Sequence, residues 1–158
     1  MLIGYLFVVG FVSILAQAVL LRELSVASYG VELIYTLALG IWLLCGACGA
    51  LLFRKARSRS FVRIHLLFLV LAVSLPFHVA FIRCVRLLFS GVPGGYLPLH
   101  AQIGAVCVSL LPAGLMLGLL FQWTAKAYVA DTQSLATAYA IESLGGLSGG
   151  VCATATPT

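Results

Sequence analysis

Five polar residues interrupt the long apolar stretches of this chain, and they are its strongest candidates for chemistry. They are Gln17, Arg22, Glu23, Glu32 and Glu142. A charged side chain at membrane depth is costly, so it is usually paired or part of a ligand or ion path. Arg22, Glu23 and Glu32 lie at the ends of apolar stretches, where contact with the lipid–water interface explains them equally well. Glu142 has largely apolar neighbours, so we expect it to face the interior of a helix bundle.

Gln17 is the predicted partner of Glu142. At about 1.5 Å per residue, Glu142 lies roughly 12 Å along a helix that starts near Ser134, close to the middle of a bilayer. Arg22 is the best partner by charge, but it lies at the far end of the first apolar stretch. Gln17 is about one and a half turns deeper. We therefore expect Gln17 beside a Glu142 that is protonated or in contact with water.

The cysteines and histidines suggest metal, redox or haem chemistry, but packing explains them better. Cys45 and Cys48 form a Cys-x-x-Cys pair in the middle of an apolar stretch, where nothing stabilises a thiolate. We interpret both as small packing residues. A bis-histidine haem needs two histidines at matching depth, and His78 and His100 are the possible pair. His100 follows a loop rich in glycine and proline, where a histidine needs no special role. We predict no metal site and no cofactor.

The composition indicates that these residues belong to a membrane protein. Hydrophobic residues make up 63% of the chain and charged residues 8%, and the mean hydropathy is +1.16. A soluble domain has about 45–50% apolar and about 25% charged residues. Most of this surface must therefore face hydrocarbon, which excludes a soluble enzyme. The net charge of +5 is concentrated in one connection, which argues against nucleic-acid binding.

The polar breaks divide the chain into an all-α helix bundle with no soluble domain. We predict four full transmembrane spans and a fifth helix rich in Ala, Gly, Ser and Thr, together forming a single transmembrane domain over 1–158. Asp131 or Thr132 is the predicted N-cap of the fifth helix. The five predicted spans are about 2–21, 33–53, 64–82, 102–121 and 134–153.

Basic residues are concentrated between the second and third spans. The positive-inside rule places that connection and the N-terminus in the cytoplasm, with the chain in the inner membrane of the cell. Arg83 and Arg86 favour the opposite orientation, but they are outnumbered. The basic residues of the connection are Arg54, Lys55, Arg57, Arg59 and Arg63.

Small residues recur at helical spacing on three of the predicted helices. Such faces allow helix backbones to approach closely in lipid, where packing rather than water drives association. We predict that these residues form helix–helix contacts. The glycines concerned are Gly46, Gly49, Gly114, Gly118, Gly145 and Gly149.

Four motifs in the chain occur in a recognisable order. They are GFVSILAQ with LLREL in 10–24, YGVEL with a Trp- and Gly-containing stretch in 29–49, LPAG with GLLF in 111–121, and AYAIESLGG with GG in 138–150. Together they resemble the membrane part of the spermidine synthase-like integral membrane proteins, the fused transporter/spermidine synthase family. The resemblance extends over essentially the whole chain.

The resemblance implies that the chain is the N-terminal, truncated part of a longer membrane module. In that family the module accompanies a soluble aminopropyltransferase-like domain. No glycine-rich nucleoside-binding motif of such a domain occurs in these 158 residues, so we expect no enzymatic activity from this chain alone. We expect it to anchor that domain and to bind or pass a small cation, using Glu23, Glu32 or Glu142.

Three alternatives fit the same residues. The chain could be a transporter or channel subunit whose carboxylates line a substrate path. It could be a haem-binding subunit of an electron-transfer complex, or a structural subunit whose polar residues serve only helix contacts. The expected partners are the lipid bilayer and either the aminopropyltransferase-like domain or other membrane subunits, with no nucleic acid.

Overall fold

A computed structural model describes residues 2–29, 32–52, 61–88, 98–132 and 134–155. These ranges contain five α-helices and no strand: α1 (Leu2–Ala27), α2 (Glu32–Leu52), α3 (Phe61–Leu88), α4 (Leu99–Thr132) and α5 (Leu135–Ala155). Helices α1 to α4 are each long and apolar enough to cross a membrane. The predicted all-α membrane bundle, with four spans and a fifth helix rich in small residues, is confirmed. The basic residues at 54–59 lie outside the described ranges.

Helix α4 is much longer than the apolar stretch that predicts it. Its 34 residues correspond to about 51 Å, which exceeds the roughly 30 Å of bilayer hydrocarbon. It includes Asp131 and Thr132, so the prediction that one of them caps α5 is wrong. Ser134 is the cap, because its hydroxyl accepts a hydrogen bond from the Thr137 backbone N–H at 3.3 Å.

Helices α1 and α4 form the centre of the bundle. Every other helix contacts both of them, and Leu20, Leu110 and Leu120 are fully buried in the shared core. Helix α3 contacts only α1 and α4, and so do α2 and α5. Within the described ranges, α2 and α5 do not touch each other. They therefore flank a gap whose floor is formed by α1 and α4.

The outer helices expose large apolar side chains. Leu43 on α2, Leu69 on α3 and Leu147 on α5 are each more than 60% exposed. In water such a surface would promote aggregation, but in a bilayer it is the normal lipid-facing surface. The apolar helices are therefore compatible with contact to the lipid bilayer.

The glycines hold two pairs of helices at very short range. In the α1–α5 pair, a Cβ on Gly145 would overlap the Phe7 carbonyl, and one on Gly10 would overlap the Glu142 carbonyl. In the α2–α4 pair, a Cβ on Gly49 would overlap the Leu115 carbonyl. Gly118 meets the Gly46 carbonyl, Gly114 meets Cys45, and Gly149 meets the Phe11 backbone. Residue numbers rise together across both pairs, so the helices of each pair are parallel.

Candidate functional site

A cavity of about 450 Å³ lies between α2 and α5 and is lined by residues from α1, α2, α4 and α5. Most of its walls are apolar or glycine. Four side chains with polar groups line it as well: Ser13 from α1, Gln122 from α4, and Tyr139 and Glu142 from α5. Residues that carry a carboxyl, an amide and two hydroxyls therefore line one partly open space.

The glycine contacts position Glu142 at this cavity. Tyr139 and Glu142 are three residues apart and so lie on one side of α5. Gly10 lets the backbone of α5 approach α1 at Glu142 itself, and Gly145 fixes the next turn against Phe7. The close α1–α5 contact leaves the Glu142 side chain at the edge of the interface, where it lines the cavity.

Aromatic rings form a second part of the cavity wall. The ring centroids of Phe121 and Tyr139 are 5.0 Å apart, with a 45° angle between the ring planes. Trp42 lines the cavity from α2, on the opposite flank. Aromatic faces carry partial negative charge and attract cations, most strongly when the cation is removed from water. Carboxylate and rings together make the cavity suited to an organic cation.

The other sequence candidates lie elsewhere. Glu32 is exposed at the start of α2, and Arg22 is exposed near the end of α1. Gln17 is half-buried on α1 and is not among the residues that line the cavity. Among the described residues, no hydrogen bond joins Gln17 or Arg22 to Glu142, so the expected pairing is not formed. Of the three carboxylates expected to bind a cation, Glu142 alone lines this cavity.

Glu23 is engaged by an arginine that the sequence analysis did not connect to it. The Arg83 guanidinium donates from Nε to Glu23 Oε2 at 2.9 Å and from Nη2 to Glu23 Oε1 at 2.7 Å. The Glu23 side chain is 19% exposed and that of Arg83 is 68% exposed. This two-bond geometry satisfies the carboxylate. Glu23 is therefore a structural contact between α1 and α3.

Gln122 and Trp42 were not predicted as site residues. Gln122 lies just beyond the predicted end of the fourth span at 121, but α4 continues through it for ten further residues. The sequence signal that could have identified Gln122 is a polar residue after which the helical segment continues. Trp42 had no comparable signal, because its role depends on which helix lies beside α2.

The histidines and cysteines do not form a site in the described ranges. The His65 ring is 2.8 Å from the Tyr5 hydroxyl, and His78 Nδ1 is 2.6 Å from the Ser74 carbonyl oxygen. His100 is exposed at the start of α4. Cys45 is buried against Gly114. No group of three or more potential metal ligands occurs in the described part of the chain.

Comparisons with protein-family models, with curated proteins and with solved structures gave no match for this chain. The chemistry of the cavity is therefore the main guide to function.

Proposed function

We propose that this chain is a membrane module that binds a small organic cation in the cavity between α2 and α5, with Glu142 as the counter-ion. The observation that carries the proposal is that the Glu142 carboxyl and three aromatic rings line the same space. An ammonium group can pair with the carboxylate while its alkyl part packs on the rings. The Gln122 amide oxygen adds an acceptor for N–H groups.

The size of the cavity and its ligand set favour an organic cation over a metal ion. A volume of about 450 Å³ is within the range of about 300–1,000 Å³ that small-molecule sites occupy. Hard metal ions such as Ca²⁺ take six or more oxygen ligands. The lining offers one carboxylate, one amide and two hydroxyls. An alkylamine matches this mixture of one negative charge and many apolar contacts.

The motif order supports a more specific assignment within the same proposal. The chain would be the membrane part of a spermidine synthase-like protein, anchoring an aminopropyltransferase-like domain supplied by further sequence or by a partner. A polyamine would then be a natural occupant of the cavity. Coexpression of the chain with a tagged soluble aminopropyltransferase-like domain, followed by membrane fractionation, tests the anchoring role. Recovery of that domain only in the soluble fraction would contradict it.

The proposed orientation has the N-terminus and the basic connection at 54–63 in the cytoplasm. It rests on the excess of Lys and Arg in that connection. Because α1, α3 and α5 are parallel to one another, it places the N-terminal ends of all three helices on the cytoplasmic side. In intact cells, a membrane-impermeant thiol reagent should not label Ser58→Cys, in a background with the natural cysteines replaced. Lysed cells serve as the positive control. Labelling from outside intact cells would reverse the orientation.

Transport is a second candidate function, favoured by the missing contact between α2 and α5 in the described ranges. Two helices that flank a ligand cavity without touching can separate with little loss of packing. Uptake of radiolabelled putrescine into liposomes that contain the protein distinguishes transport from binding alone.

The binding experiment uses tryptophan fluorescence, since Trp42 lines the cavity. The purified chain is titrated with putrescine and, as a neutral control, with 1,4-butanediol, in a Trp123→Phe background. Glu142→Gln keeps the shape of the side chain but removes its charge, so we expect putrescine affinity to fall by about tenfold or more. Glu32→Gln makes the same change at an exposed site outside the cavity and should leave affinity unchanged.

Circular dichroism and the melting temperature should be similar for both variants, since neither change adds volume. Equal putrescine affinity in the original chain and in Glu142→Gln would contradict the proposal. Equal responses to putrescine and butanediol would do the same.

A further inference from the structure

The interface between α1 and α3 has a polar side-chain contact at each end and a surface groove between these contacts. At one end the Tyr5 hydroxyl and the His65 ring are 2.8 Å apart. At the other end Arg83 forms its two hydrogen bonds to Glu23. Between these contacts lies a groove of about 680 Å³. This groove is separate from the Glu142 cavity, which is lined by neither Arg83 nor any other residue of α3.

The two polar contacts are separated by the thickness of a bilayer. The partners lie 18 residues apart on each helix, from 5 to 23 on α1 and from 65 to 83 on α3. That separation is about 27 Å at about 1.5 Å per residue. The hydrocarbon core of a bilayer is about 30 Å thick. Arg83 therefore lies at the level of the lipid headgroups when the bundle spans the membrane.

The groove is about as long as one leaflet of a bilayer is thick. Like a leaflet, it is apolar along its length and charged at one end. On α3 it extends from Ala72 to Arg83, which is about 16 Å of helix and close to half the hydrocarbon thickness. Its walls are apolar, with Val12, Leu15 and Val19 on α1 facing Leu75 and Val79 on α3. Among the described residues that line it, Arg83, at the headgroup end, is the one that is charged.

We infer that this groove binds one acyl chain of an anionic phospholipid, with the lipid phosphate at Arg83. The pair with Glu23 uses two of the five N–H groups of the guanidinium, which leaves three for phosphate oxygens. Arg22 is exposed beside Glu23, so the three side chains Arg22, Glu23 and Arg83 together carry a net charge of +1. An anionic phospholipid has a charged phosphate on an apolar tail, which matches an apolar groove with an arginine at its end. A purely apolar helix in the groove would leave the remaining N–H groups of Arg83 without acceptors.

The test measures lipid retained by the purified chain in native mass spectrometry. Phosphatidylglycerol and phosphatidylcholine with the same acyl chains are added separately to the detergent solution. We expect stronger retention of phosphatidylglycerol, and about a tenfold loss of that retention in Arg83→Gln. Arg63→Gln removes the same charge from the other end of α3 and should leave retention unchanged. Ala80→Trp fills the groove and should reduce retention of both lipids.

Glu23→Gln covers the case in which Arg83→Gln does not fold. It releases Arg83 from its carboxylate, so retention of phosphatidylglycerol should rise. Unchanged retention in Glu23→Gln would show that Arg83 serves only the ion pair and would overturn the proposal. Equal retention of the two lipids by the original chain would also overturn it. So would a fall in oligomeric mass in Ala80→Trp with lipid retention intact, because a second copy would then occupy the groove.

Discussion

Helix α1 contacts its two parallel neighbours, α3 and α5, in opposite ways. Against α5 it packs backbone to backbone, with Gly10 and Gly145 removing the side chains that would keep the helices apart. Against α3 it makes two polar contacts, at Tyr5 and at Glu23, with an open groove between them. Lipid chains are as apolar as leucine side chains, so helices associate through close packing and hydrogen bonds. Helix α1 uses close backbone packing against α5 and polar side-chain contacts against α3.

The difference has a functional consequence. A packed interface is rigid and can hold a side chain in place, and the α1–α5 contact holds Glu142 at the cavity. The α1–α3 interface has a polar contact at each end and a surface groove between them, and this groove leaves space for a lipid chain. The same helix therefore supports a positioned carboxylate on one side and an open groove on the other.

The largest effect should come from adding one methyl group to the packed interface. Gly145→Ala places a Cβ onto the Phe7 carbonyl, a backbone atom that can move only with its helix. Overpacking of this kind costs about 1–3 kcal/mol. We expect a clearly lower melting temperature in detergent and weaker putrescine binding, because Glu142 moves with α5.

Gly4→Ala is the matched control, since a Cβ there has no neighbour within 4 Å. Alanine is a better helix former than glycine, so this variant should be as stable as the original chain or more stable. Equal melting temperatures for Gly145→Ala and Gly4→Ala would mean that α1 and α5 are not in close contact.

A smaller effect is expected at the end of the open interface. Tyr5→Phe removes the hydroxyl that contacts His65 while keeping the ring, whose centroid is 5.3 Å from that of the imidazole. A hydrogen bond contributes about 0.5–1.5 kcal/mol net, so the melting temperature should fall less than in Gly145→Ala. Tyr35→Phe, at an exposed tyrosine of α2, is the control. A larger loss in Tyr5→Phe than in Gly145→Ala would reverse the comparison of the two interfaces.

The sequence predicted the helices well because apolar length and glycine spacing are local properties. The small residues at Gly114, Gly118 and Gly145 could be identified without knowing which helix faces them. Partners could not be identified in that way. Glu23 and Arg83 are 60 residues apart, and their pairing depends on α1 and α3 being neighbours.

The cavity was only partly predictable for the same reason. Glu142 was conspicuous because a carboxylate within an apolar helix needs an explanation. Its surroundings depend on four helices, and the polar residues they contribute, Ser13 and Gln122, are unremarkable one at a time. Depth along the helix suggested Gln17 as a partner, but depth does not determine the direction in which a side chain points around its helix.

The smallest effect should come from Trp123, which packs against the core shared by the central helices. Its indole Nε1 is buried and has no hydrogen-bond partner in the described part of the chain. Trp123→Phe removes this unsatisfied donor, whose burial costs about 1–3 kcal/mol. The smaller ring leaves a void whose cost is of similar size and opposite sign. We therefore expect the melting temperature of Trp123→Phe to stay within a few degrees of the original value. A large loss of stability would show that Nε1 has an acceptor in the membrane-embedded protein, and a polar atom near Trp123 would then belong to the packed core.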